Sequence, residues 1–271
     1  MTFGAKLHAA VERFGPLCVG IDPHAHLLDA WGLPDTAGGV REFADAVLDA
    51  SIGNVAIVKP QVAFFERHGS AGLAVLEDVL GRAREANLLI IADAKRGDVG
   101  STSLGYAEAW LRPGAPLEAD ALTMNPFQGV GSIGDSLRFG LEHGKGVFVL
   151  CATSNPEGIE LQQASIATGG NVSQRIEHDV ASFNSGHQHG SIGLVVGATI
   201  DPSAFGLSLA SGTPILAPGF GFQGAKHGSY GALAKNGATV LASASRSILG
   251  AGRDGLGAAI ESHRINVTSG A

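Results

Sequence analysis

Eight short apolar segments, each about the length of a β-strand, recur along this chain and limit the folds it can adopt. They are LCVGI (17–21), VAIVK (55–59), LLIIAD (88–93), DALTM (120–124), VFVLCA (147–152), IGLVVGA (192–198), PILAP (214–218) and TVLAS (239–243). Continuous apolar runs, unlike alternating ones, are typical of parallel strands that are covered on both faces. The segments therefore predict a parallel sheet with helices on its outer side.

Helical patterns lie between these segments, as at 40–50, 72–86 and 172–183, and the longer loops, 22–39 and 153–171, follow the first and fifth segments. This alternation predicts an α/β protein with a (β/α)8 TIM barrel, formed by residues 1–271 as a single domain. A doubly wound sheet is the alternative fold. Its glycine fingerprint is missing after the first segment, where the chain reads GIDPHAH.

Composition narrows the classes of partner. The chain has 271 residues, is 45% hydrophobic and carries a net charge of −7 without a basic stripe, which argues against nucleic acid and anionic membranes. No apolar run is long enough for a transmembrane helix, and residues 1–15 have the pattern of an amphipathic helix and not of a signal peptide. We therefore expect a cytoplasmic protein, with Cys18 and Cys151 buried as free thiols.

Charged residues stand at the ends of three predicted strands. Asp22 follows the first strand, Lys59 ends the second, and Asp93 and Lys95 end the third, with Asp98 in the turn after it. In a barrel, the carboxyl ends of the strands converge on the face that carries the active site. Asp93 and Lys95 are two residues apart, so in an extended strand both would point to the same side. A lysine among carboxylates favours its charged form and can hold a proton ready for transfer.

The loops after strands seven and eight carry the features of a phosphate site. Loops in these positions form the usual phosphate site of TIM barrels. Glycines allow backbone N–H groups to approach phosphate oxygens, and an arginine adds a charged contact. The candidate phosphate-binding residues are Pro218, Gly219, Gln223 and Arg246, with further glycines at 221 and 224. The sequence therefore predicts a phosphorylated substrate with its reactive end near Lys95.

The motif D-x-K-x-x-D-x-x-x-T, formed here by Asp93, Lys95, Asp98 and Thr102, resembles the signature of the orotidine 5'-phosphate decarboxylases. The resemblance extends along the chain and is closest to the second bacterial subfamily, type 2. Its further matches are Asp22 in GIDP, Lys59 in VKPQ, Ser154 in ATSNPEG, Gln223 in PGFGFQG, and Arg246.

This resemblance implies an enzyme that removes CO2 from orotidine 5'-monophosphate to give uridine 5'-monophosphate, the last step of pyrimidine synthesis. It implies no metal and no organic cofactor. Lys95 would donate a proton to C6 of the pyrimidine, and Asp93 would lie beside the departing carboxylate.

The resemblance also implies how the substrate is held. Asp22 and Lys59 would bind the ribose hydroxyls, Ser154 would bind the amide edge of the pyrimidine, and Gln223 and Arg246 would bind the phosphate. Asp98 and Thr102 would reach into the active site of a partner subunit, so a homodimer with shared sites is implied.

The sequence departs from the family pattern at two positions. Ser245 precedes the phosphate-binding arginine where many relatives have glycine, and Val99 follows Asp98 where isoleucine is common.

Three other functions remain as alternatives. The first is a metal-dependent amidohydrolase, suggested by His24 and His26 after strand one, although no further histidine follows strands five or six. The second is a Mg²⁺-dependent sugar-phosphate lyase or decarboxylase of the same barrel superfamily, which needs an acidic ligand after strand two, where the chain offers Gln61 and, further on, Glu66. The third is a non-enzymatic barrel that binds a phosphorylated ligand.

Overall fold

The computed structural model describes residues 1–221 and 227–269, and the side chains of 1–221 and 230–267. Eight parallel strands pair in sequence order, and β8 pairs with β1, so that the sheet closes into a barrel. The strands are β1 (Leu17–Ile21), β2 (Ile57–Pro60), β3 (Leu89–Arg96), β4 (Ala121–Met124), β5 (Gly146–Ala152), β6 (Ile192–Val196), β7 (Ile215–Pro218) and β8 (Val240–Ala244). The predicted TIM barrel is confirmed, and the doubly wound sheet is excluded.

Helices alternate with the strands and form the outer layer. They are α1 (Phe3–Phe14), α2 (Ala25–Ala30), α3 (Ala37–Ser51), α4 (Ala63–Glu66), α5 (Gly69–Glu85), α6 (Gly100–Leu111), α7 (Gly134–Glu142), α8 (Pro156–Gln162), α9 (Val172–Phe183), α10 (His227–Ala234), α11 (Arg246–Leu249) and α12 (Leu256–Ser269). Short 3-10 turns occur at Val130–Ile133, Pro202–Phe205 and Arg253–Gly255. The amphipathic helix predicted within 1–15 is confirmed as α1. The helices predicted at 40–50 and 172–183 correspond to part of α3 and the whole of α9, and the one at 72–86 covers most of α5 and extends one residue beyond it.

Two apolar layers hold the barrel together. The larger layer lies between the sheet and the outer helices, and the smaller one takes one inward residue from each strand, such as Ile57 from β2 and Leu241 from β8. Helix α1 closes the amino-terminal end of the barrel, because Phe3 packs edge-on against Phe148 with 6.1 Å between ring centroids. A Cβ atom on Gly146 would clash with the Phe3 ring, so glycine is needed there. Since α1 covers the amino-terminal end, the carboxyl end of the barrel is the end available for a functional site.

The two long loops follow β1 and β5 as predicted, but each contains a short helix that the sequence pattern did not indicate. Helix α2 lies within 22–39 and α8 lies within 153–171. Both have seven residues or fewer, too few to display a helical repeat of apolar residues. Pro156 opens α8, a position where the missing N–H of proline costs no helical hydrogen bond.

Cys18 and Cys151 are both buried free thiols, as predicted. Burial raises the pKa of Cys18 to about 12, and it also raises the pKa of Cys151, so both thiols stay protonated at neutral pH. Among the described residues, no helix combines the length and apolar character that a membrane crossing needs.

Candidate active site

A cavity of about 780 Å³ opens at the carboxyl end of the barrel. Residues at or just beyond the ends of the strands line it, as expected for this fold. Eight of the sequence-predicted site residues lie in its wall: Asp22, Lys59, Asp93, Lys95, Ser154, Pro218, Gly219 and Arg246. The structure therefore brings together residues that are as much as 224 positions apart in the sequence (246 minus 22).

The carboxylate of Asp93 accepts four hydrogen bonds from side chains. Its Oδ2 accepts from Lys59 Nζ at 2.9 Å and from Gln61 Nε2 at 3.1 Å. Its Oδ1 accepts from Lys95 Nζ at 2.6 Å and from Thr123 Oγ1 at 2.9 Å. A carboxylate offers about four lone-pair positions, so these donors use its acceptor capacity and fix its orientation.

Charge pairing outweighs burial at the centre of the site. Burial alone would raise the pKa of Asp93, but Lys59 and Lys95 together hold it well below the usual range of a carboxyl group. Burial alone would lower the pKa of Lys59, but the carboxylates of Asp93 and Asp22 raise it above its usual value. Both groups are therefore ionised at neutral pH, and a negative charge is kept on Asp93 inside the protein.

Lys95 presents its ammonium group to the cavity, with 44% of its side chain exposed. The extended geometry predicted for this residue is wrong, because its φ angle is +48° and β3 shifts register against β4 between Ala92 and Arg96. Lys95 and Asp93 nevertheless meet, because the lysine side chain folds back onto the carboxylate two residues earlier. The N–H of Lys95 donates to Thr123 Oγ1 at 2.9 Å, which holds this unusual backbone.

Asp22 is held by a contact that the sequence pattern did not reveal. The hydroxyl of Ser245 donates to Asp22 Oδ2 at 2.5 Å, across 223 residues of sequence. Asp22 Oδ1 is buried and has no hydrogen-bond partner among the described residues. A buried carboxylate oxygen without a donor is costly, so this atom is suited to accept a hydrogen bond from a bound hydroxyl group.

The predicted phosphate end of the cavity is formed by the ends of β7 and β8. Pro218 ends β7, and Gly219 follows it with a φ angle of +116°, a conformation that essentially only glycine adopts. Arg246 opens α11 directly after β8 and lines the cavity. Gln223, the other predicted phosphate ligand, lies outside the described residues.

Asp98 and Thr102 do not line the cavity that holds Lys95. Asp98 Oδ1 accepts a hydrogen bond from the backbone N–H of Val99 at 2.8 Å, and Thr102 is exposed on α6. Val99, which lies between Asp98 and Thr102 in the sequence, is 52% exposed. The D-x-K-x-x-D-x-x-x-T motif is thus divided between a part inside the cavity and a part at the surface.

The residues that suggested the two metal-dependent alternative functions make contacts with other side chains. His24 lines the cavity, its ring packs on Phe64 with 4.1 Å between centroids, and burial lowers its pKa. Glu66, the acidic residue after strand two, forms an ion pair with Arg96. Among the described residues, no three His, Cys, Asp or Glu side chains are grouped so as to hold a metal ion.

Several residues in or directly behind the cavity wall were not predicted from the sequence. Gln61 and Thr123 bind Asp93, whereas Asn125 and Phe127 line the cavity, with Phe127 76% exposed. Gln61 had a usable signal, because it lies two residues after Lys59 at the end of β2. Thr123 had a weaker one, as a single hydroxyl in the apolar segment 121–124.

Comparison with known proteins identifies a family. Residues 15–260 match the model of the orotidine 5'-phosphate decarboxylase / HUMPS family. An orotidine 5'-phosphate decarboxylase from Corynebacterium efficiens is 50% identical over 259 residues, covering 93% of this chain and 91% of the relative. One from Salinispora arenicola is 48% identical over 255 residues, with the same coverage of 93% and 91%.

Solved structures agree with this assignment. A crystal structure from Streptomyces avermitilis, provisionally named an orotidine 5'-phosphate decarboxylase, superimposes with a TM-score of 0.93 at 44% identity, covering 99% of this chain and 95% of the other. The OMP decarboxylase of Leishmania donovani superimposes with a TM-score of 0.77 at 28% identity, covering 100% of this chain and 99% of the other.

Proposed function

Because the chain belongs to the orotidine 5'-phosphate decarboxylase / HUMPS family, we propose that it converts orotidine 5'-monophosphate to uridine 5'-monophosphate and CO2. The observation that carries this proposal is the charged array at the base of the cavity. There, the Lys95 ammonium lies 2.6 Å from an Asp93 carboxylate that Lys59 also neutralises. Such an array offers a proton and an ordered electrostatic field at one point of a nucleotide-sized cavity.

The proposed binding mode assigns one part of the cavity to each part of the substrate. Arg246 and the backbone of Gly219, with Gln223, bind the phosphate. The partnerless Oδ1 of Asp22 accepts a ribose hydroxyl, and Lys59 assists it. Ser154, at the end of β5, binds the amide edge of the pyrimidine.

In the proposed reaction, the bond between C6 and the carboxyl carbon breaks, its electron pair stays on C6, and CO2 leaves. The carbanion character at C6 has no conjugated electron sink, so the nearby Lys95 ammonium stabilises the developing charge. Lys95 Nζ then gives its proton to C6, and solvent protonates the resulting amine. This route needs neither a metal nor an organic cofactor.

Remote binding energy supports this step. One ammonium group does not account for the ~8–23 kcal/mol by which enzymes usually lower a barrier. Contacts with the phosphate and the ribose are made away from the reacting carbon, and their binding energy can be used to order the site around C6. Arg246 lines the cavity after β8, which β1 and β2 separate from β3 in the closed sheet, and this separation suits the division of roles.

The proposal includes an assembly and a location. Asp98 and Thr102 act in the active site of a partner subunit of a homodimer, which accounts for motif residues that do not line the cavity of their own chain. The enzyme belongs to the second bacterial subfamily, acts in the cytoplasm, and residues 1–271 form one domain.

The test is an absorbance assay in EDTA. Purified protein is mixed with orotidine 5'-monophosphate, and the loss of the orotate band is followed for the wild type and for Lys95→Ala. The control is Lys235→Ala, because Lys235 is an exposed lysine in the loop between α10 and β8. We expect turnover in EDTA by the wild type and by the control, and none by Lys95→Ala.

Two other results would decide against the proposal. Turnover that appears only when Mg²⁺ is restored would favour the metal-dependent lyase. If folded protein does not decarboxylate orotidine 5'-monophosphate either in EDTA or with Mg²⁺, the decarboxylase is excluded. Binding of the nucleotide without turnover would then indicate a binding protein.

A further inference from the structure

Thr123 lies between the two residues that carry the proposed chemistry. It belongs to β4, it is 1% exposed, and its hydroxyl contacts both Asp93 and Lys95. Its Oγ1 is 2.9 Å from Asp93 Oδ1 and 2.9 Å from the backbone nitrogen of Lys95. No other described side chain hydrogen-bonds both the carboxylate and the backbone of this pair.

The directions of the two hydrogen bonds follow from chemistry. The ionised carboxylate of Asp93 only accepts, so the single proton of the Thr123 hydroxyl points to Asp93 Oδ1. The N–H of Lys95 only donates, so it points to a lone pair of the same oxygen. The hydroxyl is therefore used as donor and acceptor at once, and replacing it breaks both contacts together.

The backbone around Lys95 explains why this contact is needed. Between Ala92 and Arg96, β3 advances four residues while β4 advances two, from Leu122 to Met124, so the regular ladder is interrupted. Thr123 is the β4 residue opposite this interruption. Lys95 has a φ angle of +48°, which residues other than glycine rarely adopt. Its N–H donates a hydrogen bond to the Thr123 side chain in place of a backbone carbonyl of the neighbouring strand.

We infer that Thr123 is a positioning residue of the site: it ties the backbone of Lys95 to the carboxylate of Asp93 and so holds the Lys95 ammonium in its place. This inference rests on the proposed function, because it concerns the group proposed to protonate C6. Thr123 does not line the cavity, so its effect on the reaction passes through Lys95 and Asp93.

Two substitutions separate this role from simple packing. Thr123→Val keeps the shape and removes the hydroxyl, whereas Thr123→Ser keeps the hydroxyl and removes the methyl group. A small displacement of a catalytic group can cost about 100-fold in rate, so we expect Thr123→Val to lower kcat by about 10–100-fold with KM within about 3-fold of the wild type. Thr123→Ser should keep kcat within about 3-fold.

Thr213→Val is the matched control. Thr213 is a buried threonine, 7% exposed, that precedes β7 at the amino-terminal end of the barrel and accepts a long hydrogen bond from Asn184. We expect its kcat to equal that of the wild type. Thermal unfolding of all three variants establishes that each is folded before its rates are compared.

Hydrogen exchange at the Lys95 amide tests the tie without relying on turnover. We expect faster exchange in peptides containing Lys95 for Thr123→Val, and wild-type exchange for Thr123→Ser. Unchanged exchange and unchanged kcat in Thr123→Val would overturn the inference, as would a Thr123→Ser variant as impaired as Thr123→Val. A rise in KM with kcat unchanged would overturn it too, since it would indicate a binding role. If the two variants show the expected exchange pattern but the wild type does not turn over orotidine 5'-monophosphate, the proposed function is contradicted and the inference about Thr123 is not.

Discussion

The ammonium nitrogen of Lys59 lies 2.9 Å from Asp93 Oδ2, in a contact between neighbouring strands where the two side chains are only 5% and 8% exposed. Buried ion pairs of this kind cost desolvation energy for both partners, and removing one partner leaves the other charge poorly compensated. The pair therefore links the stability of the barrel to the electrostatics of the proposed reaction.

Replacement of Lys59 by methionine is expected to destabilise the protein strongly. Breaking a buried pair costs about 3–5 kcal/mol, and we expect the low end of that range because Lys95 still neutralises Asp93. Denaturant unfolding measures the change. The matched control is Arg41→Met, which removes an exposed pair with Asp78 and should cost less than about 1 kcal/mol. Equal losses in the two variants would contradict the prediction.

The decrease in the free energy of unfolding caused by Lys59→Met is also expected to depend on pH in a defined way. The pKa of Asp93 is lowered in the folded state, so its contribution is present above its unfolded pKa of about 3.9 and is lost as the pH falls through the folded value. The pKa of Lys59 is raised, so its contribution is present below about 10.4 and is lost as the pH rises through the folded value.

The stability difference between the wild type and Lys59→Met should therefore be constant from about pH 5 to about pH 9 and shrink below about pH 4. Unfolding in urea across this range measures it. A steep change near neutral pH would instead implicate a titrating histidine and would contradict the assignment to the Lys59–Asp93 pair.

Arg246→Ala is expected to weaken substrate binding through the phosphate. A hydrogen bond to a charged group contributes about 1.5–3 kcal/mol, which corresponds to a rise in KM of about 10–150-fold. The nucleoside without phosphate should bind the variant and the wild type equally weakly, which isolates the phosphate contact. Arg253→Ala is the control, because Arg253 pairs with Glu42 on the exposed surface. Equal loss for nucleotide and nucleoside would show that Arg246 acts elsewhere.

Mixing inactive variants tests the shared active sites. If Asp98 acts in the partner's site, a hybrid of Lys95→Ala and Asp98→Asn chains contains one intact site. Random exchange of subunits should then restore about a quarter of wild-type turnover. Lys95→Ala mixed with Asp93→Asn is the control, since both residues lie in the same cavity and no hybrid site is intact. Failure of the first mixture, in dimers shown to exchange, would place Asp98 in its own chain's site.

The barrel was predictable from the sequence because each strand is a continuous apolar run, and the charged residues could be grouped because strand ends converge in a barrel. The contacts that orient those charges were not predictable. Thr123 reaches Lys95 only because β3 shifts register against β4 and Lys95 takes a positive φ angle, and neither feature has a signal in the segment ADAKRG.

Long-range contacts were missed for a related reason. Ser245 was identified only as a departure from a family pattern, whereas its hydrogen bond to Asp22 depends on how closely β1 and β8 approach. Side-chain geometry of this kind follows from the closed barrel and not from local sequence.

Gly20 and Ser245 are expected to constrain one another. Gly20 lies on β1, and a Cβ atom there would stand 2.7 Å from Ser245 Cβ and 3.2 Å from Asp22 Oδ1. Gly20→Ala should therefore destabilise the protein by about 1–3 kcal/mol, since crowding in a packed interior forces side chains from their positions. It should also weaken nucleotide binding, because the displaced groups include the carboxylate proposed to bind ribose.

Ser245→Gly removes Cβ and Oγ of Ser245, the two atoms nearest to the Cβ that Gly20→Ala would add, and leaves Asp22 Oδ1 in place. Alone, it loses the hydrogen bond to Asp22 and should cost about 0.5–1.5 kcal/mol. Combined with Gly20→Ala, it should restore stability, so that the double variant unfolds at higher denaturant concentration than Gly20→Ala. The two changes are coupled because they concern atoms in direct contact. If instead the two losses add, the crowding at Gly20 arises from the surrounding strands, and Ser245 does not determine which residue position 20 accepts.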